Sequence, residues 1–256
     1  MSKTFIVGLV TGLALLLGIA VGASRLKQAD SEEKAFQTEL PDATPVSFGV
    51  LTEKQRVHSK LYSYYRELRG TMDSISELAA HNKGKCRTVQ TQVFTPLGPL
   101  PKPDNPEHYF GQLARESDAI VRGKATRKSS QITEDDTFIF TDYDLQVSEV
   151  LKDNPTAPLS QGITITVTRP GGKVLIDGMI AKANDDSYAP LPLNGNEVLL
   201  FLKFIPESGA YRATRPTATF ELDGSSVRPL TLNNMPPGTV PDVASPLRTA
   251  RSVSSH

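Results

Sequence analysis

Two aspartates on one extended stretch are the nearest thing in this sequence to a chemical constellation. Asp142 and Asp144 stand two residues apart in Thr137–Leu151. On a strand their carboxylates share a face about 7 Å apart. That spacing suits a calcium ion or an acid/base pair for hydrolysis. A hydrolase built on them would also need a loop histidine, and His108 is the candidate; a cleft bringing it within hydrogen-bond reach would mark an enzyme. The competing reading is an ion ladder, with Asp142 facing Lys124 and Asp144 facing Arg122 across a strand pair, and we favour it.

The other reactive residues add little. His58, His81, His108 and His256 show no metal-ligand spacing such as H-E-x-x-H. His58, one residue past an apolar helical position, is expected at a surface or an edge. Cys86 is the only cysteine, so it forms no intramolecular disulfide and no C-x-x-C; it is expected to be idle. Asp135-Asp136 and Asp185-Asp186 sit in loops that supply too few ligands for a hard cation. There is no G-x-S-x-G elbow, Walker loop or Rossmann glycine set, and two S-x-x-K matches before residue 35 lack their companion motifs. Arg169-Pro170-Gly171-Gly172 reads as a turn first and a phosphate cradle second. Arg122, Lys124, Arg127 and Lys128 beside Phe138 and Phe140 resemble the mixtures that bind single-stranded nucleic acid. Yet Lys+Arg and Asp+Glu balance at 28 each, which argues against a broad nucleic-acid surface. No catalytic, cofactor-binding or metal residue is assigned.

These groups must be positioned by strands. In Thr137–Leu151, Ile139, Tyr143, Leu145 and Val147 share one parity while Asp142, Asp144, Gln146 and Ser148 share the other. A period of two is a half-buried strand. At about 3.3 Å per residue it would span roughly 50 Å, far beyond ordinary strand length. Its parity slips at Glu149 and Val150, as at a bulge or bend where one strand serves both walls of a barrel. Ala119–Lys128 is the preceding strand, and a register in which paired numbers sum to 266 would set Val121 against Leu145 and Gly123 against Tyr143. Gly123 would leave room for a ring or mark a bulge. Further strands are expected at 163–167, 173–183 with a bend at Gly178, 198–205, 211–214, 217–222 and 227–230. Val198–Ile205 is nearly all apolar, so both its faces should be covered.

Upstream, Thr52 with Gln55 forms a capping box. Val57, Leu61, Tyr64, Tyr65, Leu68, Met72, Ile75, Leu78 and Ala79 step by three and four, giving a helical stripe over 53–82, interrupted near Gly70. The stripe either packs on the chain's own strands, the preferred reading, or forms a partner face for a homodimer. Residues 86–116 are a Pro-rich connector ending in a short helix with Asn105 as N-cap and Tyr109, Phe110 and Leu113 on one face. Phe5–Ala23 is 19 residues without a charge, long enough to cross a bilayer. Either it is a retained single-pass anchor, slightly favoured, or a signal cleaved near Ala23, leaving the chain secreted or periplasmic. Both put the rest of the chain outside the cytoplasm. Residues 24–49 are expected to be a flexible tether and 231–256 a disordered tail.

Ser117–Gly123, Tyr143 with Val147 and Val150–Lys152, Arg169–Gly172 and Val198–Leu202 together resemble a group of exported bacterial proteins of uncharacterised function with a small OB-like, netrin-like β-barrel. The likeness spans 117–230, and the N-terminal cysteines of netrin-like inhibitors have no counterpart. It implies a mainly β fold: an OB-like barrel of five to seven strands behind an amphipathic helix and a transmembrane or signal segment. It transfers no site residue. The expected function is a non-catalytic, envelope-displayed module for a protein or glycan partner. The alternatives are a hydrolase using Asp142 and Asp144, and a self-associating structural protein.

Overall fold

Alternation along the central strands builds a large sheet around one long hairpin, and the far part of that hairpin packs on a second, smaller sheet. The computed structural model describes residues 31–46, 50–65, 74–83, 87–93, 106–185, 187–223 and 226–230. Phe5–Ala23, Leu68, Gly70, Met72, Cys86, His256 and the tail 231–256 lie outside them, as does the side chain of His108. Among the described residues no helix is long and apolar enough to cross a membrane.

The elements run β1 (Thr44–Pro45), α1 (Glu53–Tyr62), α2 (Ile75–Asn82), β2 (Thr88–Val93), α3 (Pro106–Glu116), β3 (Ala119–Ile132), β4 (Ile139–Lys152), β5 (Thr164–Pro170), β6 (Gly172–Ile176), β7 (Met179–Asp185), β8 (Glu197–Ile205), β9 (Ala210–Ala213), β10 (Thr219–Asp223) and β11 (Ser226–Pro229). A four-stranded sheet has the order β1-β6-β7-β2. A seven-stranded sheet has the order β11-β10-β8-β3-β4-β5-β9, and β8 also pairs with β9. The pairings β3–β4–β5–β9–β8 therefore return to β3.

Tyr143, Leu145 and Val147 are buried, with Asp142 and Asp144 on the wetter face. Together with Val121, Val167, Val198, Leu200 and Leu202 they form the core enclosed by that circuit. The opposite face of β8 places Leu199 and Phe201 against Phe110 and Leu113 of α3. The short helix is thus where its apolar face requires it, and β8 is covered on both sides. A third core joins Tyr62 and Tyr65 of the α1 region and Ile75 of α2 to Phe138, Phe140 and the four-stranded sheet.

Several expectations are corrected. β3 continues to Ile132 and the hairpin turns at Thr133–Phe138, so the register moves by about four residues. Val121 opposes Val150, Gly123 opposes Val147 and Arg127 opposes Asp144. Polar Ser129, Ser130 and Gln131 looked like a turn, but pairing with Asp142, Thr141 and Phe140 of β4, and the Ser130 amide's bond to Thr44 Oγ1, hold them extended. The register shifts at Ile120/Val121, Arg122/Gly123 and Ala125/Arg127. A bulge therefore does lie beside Gly123 and near the expected parity slip. A Cβ on Gly123 would stand 2.5 Å from the Gln146 carbonyl oxygen, which is why no side chain fits there. The stretch 173–183 is a hairpin, not one bent strand. Asp177 and Gly178 both take positive φ (48° and 80°), the Asp-Gly geometry of a two-residue turn.

Two segments expected to be featureless carry structure. Residues 31–39 are helical, and β1 pairs in parallel with β6, Thr44 against Val174. β2, inside the Pro-rich connector, pairs in parallel with β7 from Thr88/Ile180 to Val93/Asp185. β1 is too short to show a pattern, and the alternation of Val89, Thr91 and Val93 with Gln90 and Gln92 in β2 is brief and sits beside a Pro-rich run; each is an edge strand templated by a β6–β7 hairpin distant in sequence.

Candidate functional site

The capping box at Thr52 and Gln55 starts α1 as expected, and the helix then points His58 at β4. His58 is fully buried, not a surface residue. Its Nδ1 lies 2.8 Å from Asp142 Oδ1 and its Nε2 2.9 Å from Ser208 Oγ. With Asp142 ionised, Nδ1–H donates to the carboxylate and Nε2 accepts from the serine hydroxyl. The buried face of the helix is His58, Ser59, Tyr62 and Tyr65, rotated by one residue from the expected stripe, while Tyr64 is 43 % exposed.

The expected ion ladder does not form. Arg122 pairs with Glu149 and Glu197, and Arg127 with Asp144 at 2.7 Å. The shifted register carries each aspartate away from its expected partner. Asp142 and Asp144 thus share a face without sharing a role. Asp136 accepts from the Ser76 amide at the start of α2, and Asp185 accepts from Tyr65 and the Ser187 amide. Phe138 and Phe140 are core residues, so they offer no stacking platform for bases. Among the described residues no three His, Cys, Asp or Glu side chains converge on a metal position.

Arg169, expected in a turn with a phosphate cradle as the second reading, is a buried strand residue. It lies at the end of β5 on the inward parity of Ile165 and Val167, opposite Thr141. Only Gly171 separates β5 from β6, so the chain passes from one sheet to the other within a single residue. Gly171 has φ +88° and Gly172 φ +151°; a Cβ on Gly172 would stand 2.3 Å from Thr141 Oγ1 and 2.7 Å from Ser130 Oγ. The Arg-Pro-Gly-Gly stretch is therefore a strand end and a crossing, with glycine demanded by the close approach of β3 and β4.

Arg169 is 1 % exposed. Its Nη1 donates to Thr219 Oγ1 at 2.8 Å, while Nε and Nη2 find no acceptor. Tyr188 lies over the guanidinium, 5.6 Å from it to the ring centroid. Burial pulls the guanidinium's pKa down, and the phenols of Tyr143, Tyr188 and Tyr62 oppose it. Burial likewise pushes the Tyr188 phenol up to about 12, so the phenols stay neutral and supply dipoles, not a counter-charge. A guanidinium still remains protonated under physiological conditions.

Arg169 lines a cavity of ≈ 120 Å³, whose other cations are Lys128 of β3 and Lys173 of β6. The volume holds several waters or one small polyatomic group. Both lysines hold the carboxylate of Asp42, Lys173 at 3.1 Å. Burial opposes the ionisation of Asp42, but the two lysines outweigh it and keep its pKa below the ordinary carboxyl value. Chemically the cavity gathers three cations and two carboxylates: Asp42 of the N-terminal segment pairs with the two lysines, Asp185 accepts from Tyr65 and the Ser187 amide, and Arg169 has no ion pair among the described residues.

Parity already placed Arg169 inward; the turn signal of Pro170-Gly171-Gly172 hid it. Ser208 carried no signal, because only the folded chain brings the β8–β9 turn to α1. No protein-family model matches the chain, and no curated protein does.

Proposed function

We propose that this chain is a non-catalytic binding module, displayed outside the cytoplasm by its N-terminal segment, and that part of an envelope partner enters the cavity above Arg169. Its scaffold we read as an OB-like barrel made of β3, β4, β5, β9 and β8. The returning circuit of pairings supports that reading, with β5–β9 its one parallel contact, as does the five-stranded order such barrels use. The mouth of a small barrel is a common ligand position.

One observation carries the functional reading: a fully buried guanidinium keeps two donors without acceptors at the edge of a cavity. Each unsatisfied buried donor costs on the order of 1–3 kcal/mol, a cost that binding of an acceptor would relieve. Affinity capture from the native cell envelope with the full chain, beside an Arg169→Met variant, tests it. A molecule retained by the parent and lost from the variant is the expected result. Equal recovery on both would remove the cavity from the account. The topology has its own check: a C-terminal tag fully protected from protease in spheroplasts would contradict display outside the cytoplasm.

A second reading follows from the line Ser208–His58–Asp142, which has the order of a nucleophile, a base and an orienting carboxylate. It supports the hydrolase alternative with His58 in place of His108, and without Asp144. Two features weigh against it. The amides of Ser208 and Gly209 both donate to the Ile205 carbonyl, so they are committed rather than free for an oxyanion. His58 is wholly enclosed. Labelling of Ser208 by a fluorophosphonate, abolished by Ser208→Ala, would establish the enzyme; an unlabelled chain would leave the three residues as a clasp between α1 and the barrel.

A further inference from the structure

We propose that the group entering this cavity is an oxyanion, a phosphate or a carboxylate, and that Asp42 is its internal competitor. The inference rests on the binding-module reading and names the ligand chemistry of the same site.

Three observations converge. First, Arg169 has spare donors on adjacent nitrogens, Nε and Nη2. A guanidinium presents such a pair in a fixed fork that matches two oxygens of a carboxylate or phosphate. Second, Lys128 and Lys173 already grip a carboxylate, that of Asp42. The site therefore selects this charge and shape from within its own chain. Third, the phenols around Arg169 do not neutralise it, and Asp185, the other carboxylate lining the cavity, is bonded to Tyr65 and the Ser187 amide and forms no ion pair with it. An arriving oxyanion enters a cavity that Arg169, beneath Tyr188, lines together with both lysines. Uncharged ligands would satisfy the donors but leave the cation uncompensated.

Asp42 belongs to a slender strap. Thr44–Pro45 is a two-residue parallel edge strand. It is held by the Val46 amide on the Leu175 carbonyl, by the Ser130 amide on Thr44 Oγ1 and by ion pairs from Glu39 and Asp42. An oxyanion that takes Lys128 and Lys173 displaces Asp42 and loosens residues 39–46, the segment through which the module joins its N-terminal membrane-length stretch. Ligand occupancy and the attachment of the strap are then linked: each weakens the other by the same factor.

The test is isothermal titration calorimetry on the full chain in detergent, with inorganic phosphate and with succinate as separate probes. Expected is saturable binding of at least one probe, about tenfold tighter in Asp42→Asn, where the competitor has lost its charge. Arg169→Met should weaken it tenfold or more, and so should Lys173→Gln. Thermal melts by circular dichroism accompany every variant, and Lys173→Gln, at a partly exposed position, decides the matter should Arg169→Met disturb the fold. Succinate bound in place of phosphate, with the same ranking of variants, supports the inference and identifies a carboxylate as the group. Absence of binding of both probes by Asp42→Asn overturns it. So does binding that Asp42→Asn and Arg169→Met leave unchanged. A neutral envelope partner captured in an Arg169-dependent way, with no anion bound, overturns the oxyanion and leaves the module. Anion binding with nothing captured does the reverse.

Discussion

Arg169 and His58 are both wholly buried and polar, yet the chain treats them differently. His58 has an acceptor and a donor, one on each ring nitrogen; Arg169 has one acceptor for three nitrogens. Truncating His58 strips partners from Asp142 and Ser208 and opens space beside Phe140, which meets the imidazole edge-on at 6.3 Å. His58→Ala should therefore cost about 2–4 kcal/mol in denaturant unfolding; a loss below about 0.5 kcal/mol would show that the clasp holds nothing. Arg169→Met should behave oppositely. An apolar chain of similar length removes an uncompensated buried charge, and such exchanges are neutral or stabilising by about 1–4 kcal/mol. An unchanged or raised unfolding midpoint, together with lost binding, is the signature of a residue kept for function at the expense of stability. A fall of about 2 kcal/mol or more would instead make it structural.

At the scale of elements, two connections decide the geometry of the site. The β5–β6 crossing works only with glycine at 172. Gly172→Ala forces a Cβ into the Thr141 and Ser130 hydroxyls, which hydrogen-bond each other at 2.8 Å. We expect a loss of about 3 kcal/mol or more, or failure to accumulate as folded protein; an undiminished melting temperature would mean that the crossing is looser than its distances. The strap is the other element, and its pH dependence has a definite sign. Asp42 has a folded-state pKa below its unfolded one. Its contribution is complete above the unfolded value and is lost as pH falls through the folded one. Hydrogen exchange of the Val46 amide, which bonds the Leu175 carbonyl, corrected for the intrinsic rate, should rise between about pH 6 and about pH 3. In Asp42→Asn it should be high at both. Exchange independent of pH in the parent would dissociate Asp42 from the strap.

Across the whole molecule, Phe140 joins parts that no single element spans. It sits in β4, stacks on Tyr62 at 5.8 Å and shares a core with Val174 and Ala181 of the smaller sheet. Phe140→Ala should cost about 3–5 kcal/mol and lower the whole unfolding curve as one transition, because both sheets and the α1 region lose a common neighbour. Two separated transitions would show that the sheets unfold independently.

Residue order alone settled what depends on periodicity. The parity of Tyr143, Leu145 and Val147, the all-apolar run of β8, the apolar face of Tyr109, Phe110 and Leu113 and the Thr52 cap all stand where local pattern put them, because burial on one face demands a repeat that near neighbours can encode. Pairing partners are another matter. The β3–β4 register hung on where the hairpin turned, and extended polar residues at its tip carry no periodic mark. The edge strands β1 and β2 exist only because β6 and β7 offer them backbone partners from far along the chain. The site belongs to this second kind. Arg169, Lys128, Lys173 and Asp42 come from three strands and the N-terminal strap, and His58, Asp142 and Ser208 from a helix, a strand and a turn. Their convergence follows from long-range backbone pairing and shared cores, which no local spacing records.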